Sequence, residues 1–224
     1  MRSQPPDAAR PARPRTLAAA ARLLAARDPV VARLADTFGF PRLHKPDSSH
    51  FAALVQSIVY QQLAGAAASA IHGRLVAALG GDVVPEAMLA LSPEEMRAAG
   101  LSGNKAASLR DLAAKVLDGT VVLDPHGLAR EGDDEVVERL STVRGIGRWT
   151  AEMFLLFQLR RLDVWPTGDL GVRKGYGVAW GVPMPSPGEL QPLGDTFRPY
   201  RSVAAWYCWR ATEAPGTAAG PLTG

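Results

Sequence analysis

Along this chain, segments open on a capping residue, often followed by proline, repeat apolar side chains three and four apart, and stop at glycine. Patterns that would make strands hardly occur. Asp28 before Pro29 sets an N-cap with proline at the first helical position, and that helix is predicted to end near Gly39. Ser92-Pro93-Glu94-Glu95 is a capping box whose helix closes at Gly100. A longer helix starts at Ser48 or Ser49 with Phe51, Leu54, Val55 and Ile58 as its buried stripe, and another runs over 67–79 to Gly80-Gly81. Leu109, Leu112, Ala113 and Val116 mark one more face. Asp133 or Asp134 is expected to cap a helix whose Val136, Leu140 and Val143 point inward. Gly81-Asp82-Val83-Val84 and Val121-Val122-Leu123 are short enough to be connectors. The fold class this predicts is all-α, about ten helices with short loops.

With 224 residues, 47% of them hydrophobic, the chain can bury one substantial core or two smaller lobes. A formal charge of +3 suits a polyanionic partner but is too mild to identify one. The single cysteine, Cys208, excludes a disulfide framework, a four-cysteine zinc site and an iron–sulfur cluster held by this chain alone. His44, His50, His72 and His126 lack metal-ligand spacing. No window approaches a membrane span of about 18 to 20 apolar residues. LAAAARLLAA at residues 17–26 imitates part of a leader, but Arg22 interrupts it and Asp28-Pro29 opens a new helix, so a surface helix of a cytoplasmic protein is expected. Residues 1–15, with four prolines and four arginines, are expected to be a disordered basic tail, and 213–224 a flexible C-terminal one.

The richest stretch runs from Leu140 to Asp169. It reads as a helix end, a Gly145-Ile146-Gly147 hairpin, an apolar helix over roughly Arg148 to Arg160, a loop containing Pro166 and Gly168, and a single aspartate. Two glycines around a small apolar residue let the backbone approach a ligand, and the free N–H groups of the following helix suit a phosphate; glycine pairs also end helices for purely structural reasons. The helix has Ala151, Phe154 and Leu155 on one side and Trp149, Met153 and Phe157 on another, which predicts burial between neighbours at a lobe junction. Asp169, beyond it, reads locally as an N-cap aspartate or as a carboxylate with chemistry to do. Gln62, in the apolar phase of its helix, is either hydrogen-bonded inside the fold or placed where the stripe emerges into a cleft.

Taken in order, LSTVRGIGRWTAEMFLLF, DVWP and GDLGVRKGYG resemble the helix-hairpin-helix, Gly/Pro-rich loop, aspartate superfamily of DNA glycosylases (HhH-GPD), and most closely its 3-methyladenine DNA glycosylase II branch. The resemblance extends from about Phe51 to Trp209. It implies that Asp169 is the catalytic carboxylate, with a base pocket formed by Trp149, Trp209, Met153 and Tyr176. Trp149 stands where bifunctional members have a nucleophilic lysine, so monofunctional excision without backbone cutting is expected. Gly145, Ile146, Gly147 and Arg148 would hold the DNA backbone. The backbone carbonyls of Ser141, Val143 and Ile146 would hold a monovalent cation against a phosphate. IVYQQLAG places Gln62 where relatives fill the gap left in DNA, and Leu170 replaces an aromatic that some relatives have.

The implied organisation is two lobes. The central one spans 50–161, with the helix-hairpin-helix at about 136–160, and the other combines 16–49 with 162–212; an N-terminal domain of some relatives has no counterpart. The implied activity is excision of alkylated bases of the 3-methyladenine and 7-methylguanine type from double-stranded DNA in base excision repair. It needs no cofactor for its chemistry, and the protein is expected to be a monomer acting in the cytoplasm on nucleoid DNA. A non-catalytic hairpin module that binds DNA, or a glycosylase for deaminated or oxidised bases, are the alternatives.

Overall fold

The computed structural model describes residues 14–213, so most of the two predicted tails lies outside the described residues. Among the described residues the chain forms thirteen α-helices and no strand. In order they are α1 (Leu17–Ala25), α2 (Pro29–Phe38), α3 (His50–Tyr60), α4 (Gly65–Ala78), α5 (Pro85–Ala90), α6 (Pro93–Ala98), α7 (Gly103–Leu117), α8 (Pro125–Arg130), α9 (Asp133–Ser141), α10 (Arg148–Met153), α11 (Leu170–Trp180), α12 (Pro187–Leu193) and α13 (Arg201–Thr212). A π turn (Phe154–Gln158) extends α10, and a 3-10 turn (Gly194–Phe197) follows α12. None of these helices is long and apolar enough to cross a membrane.

The helix starts follow the capping chemistry of the sequence. Asp28 Oδ1 accepts from Val30 and Val31 N–H at 2.8 and 2.9 Å, Ser49 caps α3, and Ser92 with Glu95 closes a capping box on α6. At α9 the cap differs from expectation. Gly132 is the N-cap, with its N–H closed by the Glu135 carboxylate at 2.8 Å, and Asp133 already lies inside the helix, 3.5 Å from Arg161. Acidic residues there still face the positive end of the helix dipole.

Two groups of helices pack separately and share one continuous core. In the middle of the chain α3 packs on α4 and α7, α5 and α6 on α7, and α9 on α10. The two chain ends meet in the other group, where α1, α2, α11 and α13 pack together. The tightest approach is α11 on α13. A Cβ at Gly175 would lie 1.8 Å from the Cys208 carbonyl oxygen, so only glycine permits it.

The helix expected to run from Arg148 to Arg160 breaks its α pattern at Met153. Leu159 N–H reaches Phe154 O at 3.0 Å and Arg161 N–H reaches Leu155 O at 2.9 Å, five and six residues back, and Arg160 sits at φ 57°. This widening turns the chain out of the central lobe. The crossing segment is then sewn to α13: Ser202 Oγ donates to Arg161 O at 2.7 Å and accepts from Val164 N–H at 2.9 Å, and Asp163 pairs with Arg198 and Arg201.

Candidate active site at the lobe junction

Asp169 is delivered by the loop after that crossing. Its N–H donates to Pro166 O at 3.0 Å, and Oδ1 caps α11 by accepting from Val172 N–H at 2.7 Å. The same oxygen accepts from Trp209 Nε1 on α13 at 2.9 Å, and Oδ2 accepts from Trp149 Nε1 on α10 at 2.6 Å. Three N–H groups, from both lobes, thus converge on one side chain that is only 8% exposed. Indole and amide N–H groups can only donate, so both oxygens act as acceptors, the role of a carboxylate. The N-cap role and the site position that the sequence left as alternatives coincide in one residue.

The two indoles differ. Trp149 is 48% exposed and lies on the wall of a cleft of about 510 Å³ shared with Met153, Tyr60, Gln61, Gln62 and Gly145. The expectation that its helix face would be buried is therefore corrected: Ala151, Phe154 and Leu155 are buried, whereas Trp149 and Phe157 open outward. Trp209 is buried, with its ring stacked on Phe157 at 5.7 Å. It holds the carboxylate by its edge, and that ring face is already covered. Room for it comes from Gly171, whose Cβ would meet Trp209 Cδ1 at 2.8 Å.

Tyr176 is a correction. It stacks on Trp180 at 4.4 Å, meets Trp165 edge-on at 6.5 Å and is buried, so it belongs to the aromatic core of the chain-end lobe and not to a pocket wall. The seven-residue spacing put it on Asp169's helix, but Asp169 is the extended N-cap ahead of that helix, and the ring of Tyr176 packs against Trp165 and Trp180. Leu170 is exposed.

In the hairpin, Val143 and Ile146 plug their side chains into the core, and Ile146 N–H donates to Val143 O at 3.0 Å. Gly145 has φ 78°, and a Cβ there would lie 2.6 Å from Ser108 Oγ. At Gly147 a Cβ would have nothing within 4 Å of it, so that face of the turn is open. Arg144 N–H donates to Asp111 at 2.7 Å, and Lys115 bridges Asp111 and Thr142 O at 2.8 and 2.6 Å, fixing the turn to α7. Ser141 and Arg148 are exposed at its two ends. Arg148 reaches Asp134 at 3.3 Å and Glu152 at 3.4 Å.

Gln62 follows α3 as an exposed residue at φ 58°, at the rim of the cleft. Sequence reasoning missed its neighbour Gln61, whose Nε2 donates to Gly145 O at 3.0 Å and Thr150 Oγ1 at 3.3 Å. It also missed Lys105, which donates to Val59 O and Gln61 O at 2.5 and 2.8 Å. Glu152 was likewise unmarked; burial, with the Asp169 charge adding to it, raises its carboxyl to about 7 against the pull of Arg148. Gln61 and Lys105 carry no local signal because their partners lie tens of residues away in sequence, and Glu152 carries none because burial is the main cause of its shift. Among the described residues no cluster of histidine, cysteine and carboxylate side chains is arranged to hold a metal ion.

Comparison with known proteins bears on the fold and the family. The profile of the HhH-GPD superfamily of base excision DNA repair proteins matches residues 55–193. DNA-3-methyladenine glycosylase 1 of Schizosaccharomyces pombe is 35% identical over 163 residues, 71% of this chain and 71% of the relative. A solved S. pombe 3-methyladenine DNA glycosylase in complex with abasic DNA superposes with TM-score 0.75 at 32% identity, covering 88% of this chain and 98% of that one. A DNA-3-methyladenine glycosidase from Bacillus halodurans gives TM-score 0.79 at 34% identity, covering 87% and 89%.

Proposed function

The chain belongs to the HhH-GPD superfamily of base excision DNA repair proteins, and from that premise we propose that it is a monofunctional DNA glycosylase with Asp169 as its catalytic carboxylate. Removal of alkylated bases of the 3-methyladenine type from DNA is the activity it shares with its relatives. The observation that carries the finer reading is the convergence of Trp149, Trp209 and the α11 N-terminus on Asp169, with Trp149 also lining the cleft.

A base inside a duplex is out of reach, so the nucleotide must be flipped out, at a cost of a few kcal/mol that is smaller at a damaged position. Alkylation at N3 or N7 leaves the purine cationic, so it departs without a strong acid. The C1′–N bond breaks, its electron pair goes to the departing base, and positive charge develops on the sugar. Asp169, preorganised by three donors, stabilises that charge, and water adds at C1′ and gives up its proton to complete hydrolysis. The exposed indole of Trp149 offers the electron-poor base a stacking face, worth roughly 0.5 to 2 kcal/mol. An indole has no amine with which to form a Schiff base, which supports base removal without strand cutting.

Gly145, Ile146, Gly147 and Arg148 hold the backbone, with the open face of Gly147 toward a phosphate. The carbonyls of Ser141, Val143 and Ile146 suit a hard monovalent cation in kind, being neutral oxygens at an open turn, with Val143 spending one lone pair on Ile146. Bound there, the ion would supply positive charge toward the phosphate. Gln62 fills the space left by the flipped nucleotide. The protein works as a monomer on cytoplasmic, nucleoid DNA.

Incubating a duplex that carries one 7-methylguanine and resolving the strands with and without alkali tests the reading. Cleavage is expected only after alkali, and Asp169→Asn is expected to slow it by at least about a hundredfold. Cleavage without alkali, or turnover by the Asn variant at the original rate, overturns it.

A further inference from the structure

The turn that carries Gln62 is built without the residue that such a turn favours. Helix α3 ends at Tyr60, Gln61 takes ψ 130°, and Gln62 then enters the left-handed region at φ 58°. That region disfavours a residue with a side chain, which is why glycine is usual there. One side chain from elsewhere and one of the turn's own hold it in place. Lys105, in the first turn of α7, spans the carbonyls of Val59 and Gln61 at 2.5 and 2.8 Å, so one ammonium satisfies an acceptor in the last turn of α3 and one on its C-cap. From the other side the Gln61 amide donates to Gly145 O at 3.0 Å and Thr150 Oγ1 at 3.3 Å. Gly145 in turn rests on Ser108, also of α7.

We propose that Gln61 and Lys105 are positioning residues for nucleotide flipping: they fasten the Gln62 turn to the hairpin, so that the gap-filling residue and the phosphate grip form one rigid jaw. The proposal rests on Gln62 filling the gap. A duplex pressed against the hairpin then meets Gln62 at a fixed height and angle. Loosening either fastening lets the turn relax toward an ordinary backbone conformation, and the side chain arrives late or misaligned.

A double-mutant cycle on single-turnover excision of 7-methylguanine from a matched duplex tests this. Gln61→Met and Lys105→Met are each expected to slow excision about tenfold, within the coupling seen between contacting residues, and Lys105→Arg to recover most of the loss. Gln62→Ala should be slow as well. In the Gln62→Ala background the same Met substitutions should cost less than about twofold, because the residue they position is gone. Damage to the fold would persist in that background, so an undiminished penalty there overturns the proposal. Wild-type rates for Gln61→Met and Lys105→Met beside a slow Gln62→Ala also overturn it while sparing the gap-filling role. A wild-type rate for Gln62→Ala removes that role and the proposal with it.

Discussion

Trp149 and Trp209 offer Asp169 the same atom and serve it from opposite situations. Trp149 is half-exposed, so Trp149→Phe removes one donor to Oδ2 and part of the proposed stacking face with little loss of packing; the lost hydrogen bond should cost about 1 kcal/mol in denaturant unfolding. Trp209→Phe removes a donor inside the packed lobe and should cost about 1 to 2 kcal/mol in denaturant unfolding. Single-turnover excision should slow in both. Glu152 bears on pH. Its carboxyl rises from an ordinary 4.5 to about 7, mainly through burial. The folded state therefore binds the extra proton between those values, and the stability associated with it is full below about 4.5 and lost as pH climbs to about 7. Glu152→Gln should flatten that decline and be more stable at pH 8 by roughly 2 kcal/mol, a figure reduced for the solvent around Arg148. Thermal melts of both proteins at pH 5 and pH 8 would check it, and equal slopes would remove Glu152 as the source.

At the scale of elements, the hairpin is a rigid turn made by partners below it and left open above. Gly145 lies at φ 78° over Ser108, with Lys115 and Asp111 clamping the flanking backbone. Gly145→Ala must distort the turn and should lose about 1 to 3 kcal/mol of stability along with DNA affinity. Gly147 has φ −95° and open space in front of it, so Gly147→Ala should fold as before. Its methyl group would stand on the face proposed to grip a phosphate, and affinity for an abasic duplex should still fall. Titration by fluorescence anisotropy beside thermal melts separates the two, and unchanged binding by the Gly147→Ala variant would count against that face as the grip. The π turn after α10 belongs to this scale too, since the wider turn sends the chain across to the second lobe.

For the whole molecule, the site exists because two lobes are held at one separation. Asp169 and Trp209 belong to the lobe made from the chain ends, Trp149 to the central one, and the 2.6 Å contact between Trp149 and Asp169 closes the junction. The crossing segment is braced by Asp163, which takes Arg198 and Arg201 together and also accepts from the Arg201 N–H. Asp163→Ala leaves both arginines without that carboxylate, one of them largely buried, and should cost about 3 kcal/mol in denaturant unfolding. An undisturbed midpoint would mean that the apolar core alone sets the joint.

Local chemistry determined much of this protein directly from sequence. Caps, prolines and 3.6-residue apolar spacing act within a few residues of one another, so the helices around Pro29, Phe51 and Pro93 were legible, and the ordered hairpin-to-aspartate motif identified the family. Local pattern misled where a turn changed its pitch or a cap shifted by one residue, as at Met153 and Gly132. It also misled at Tyr176, whose spacing matched a pocket wall and whose ring went to the core. Gln61, Lys105 and Glu152 could be seen only in the tertiary structure, the first two because their partners come from distant stretches of chain and Glu152 because its burial does. The Asp169 that reads as an ordinary helix cap in sequence becomes a carboxylate gripped from both lobes only once the fold has put two tryptophans beside it.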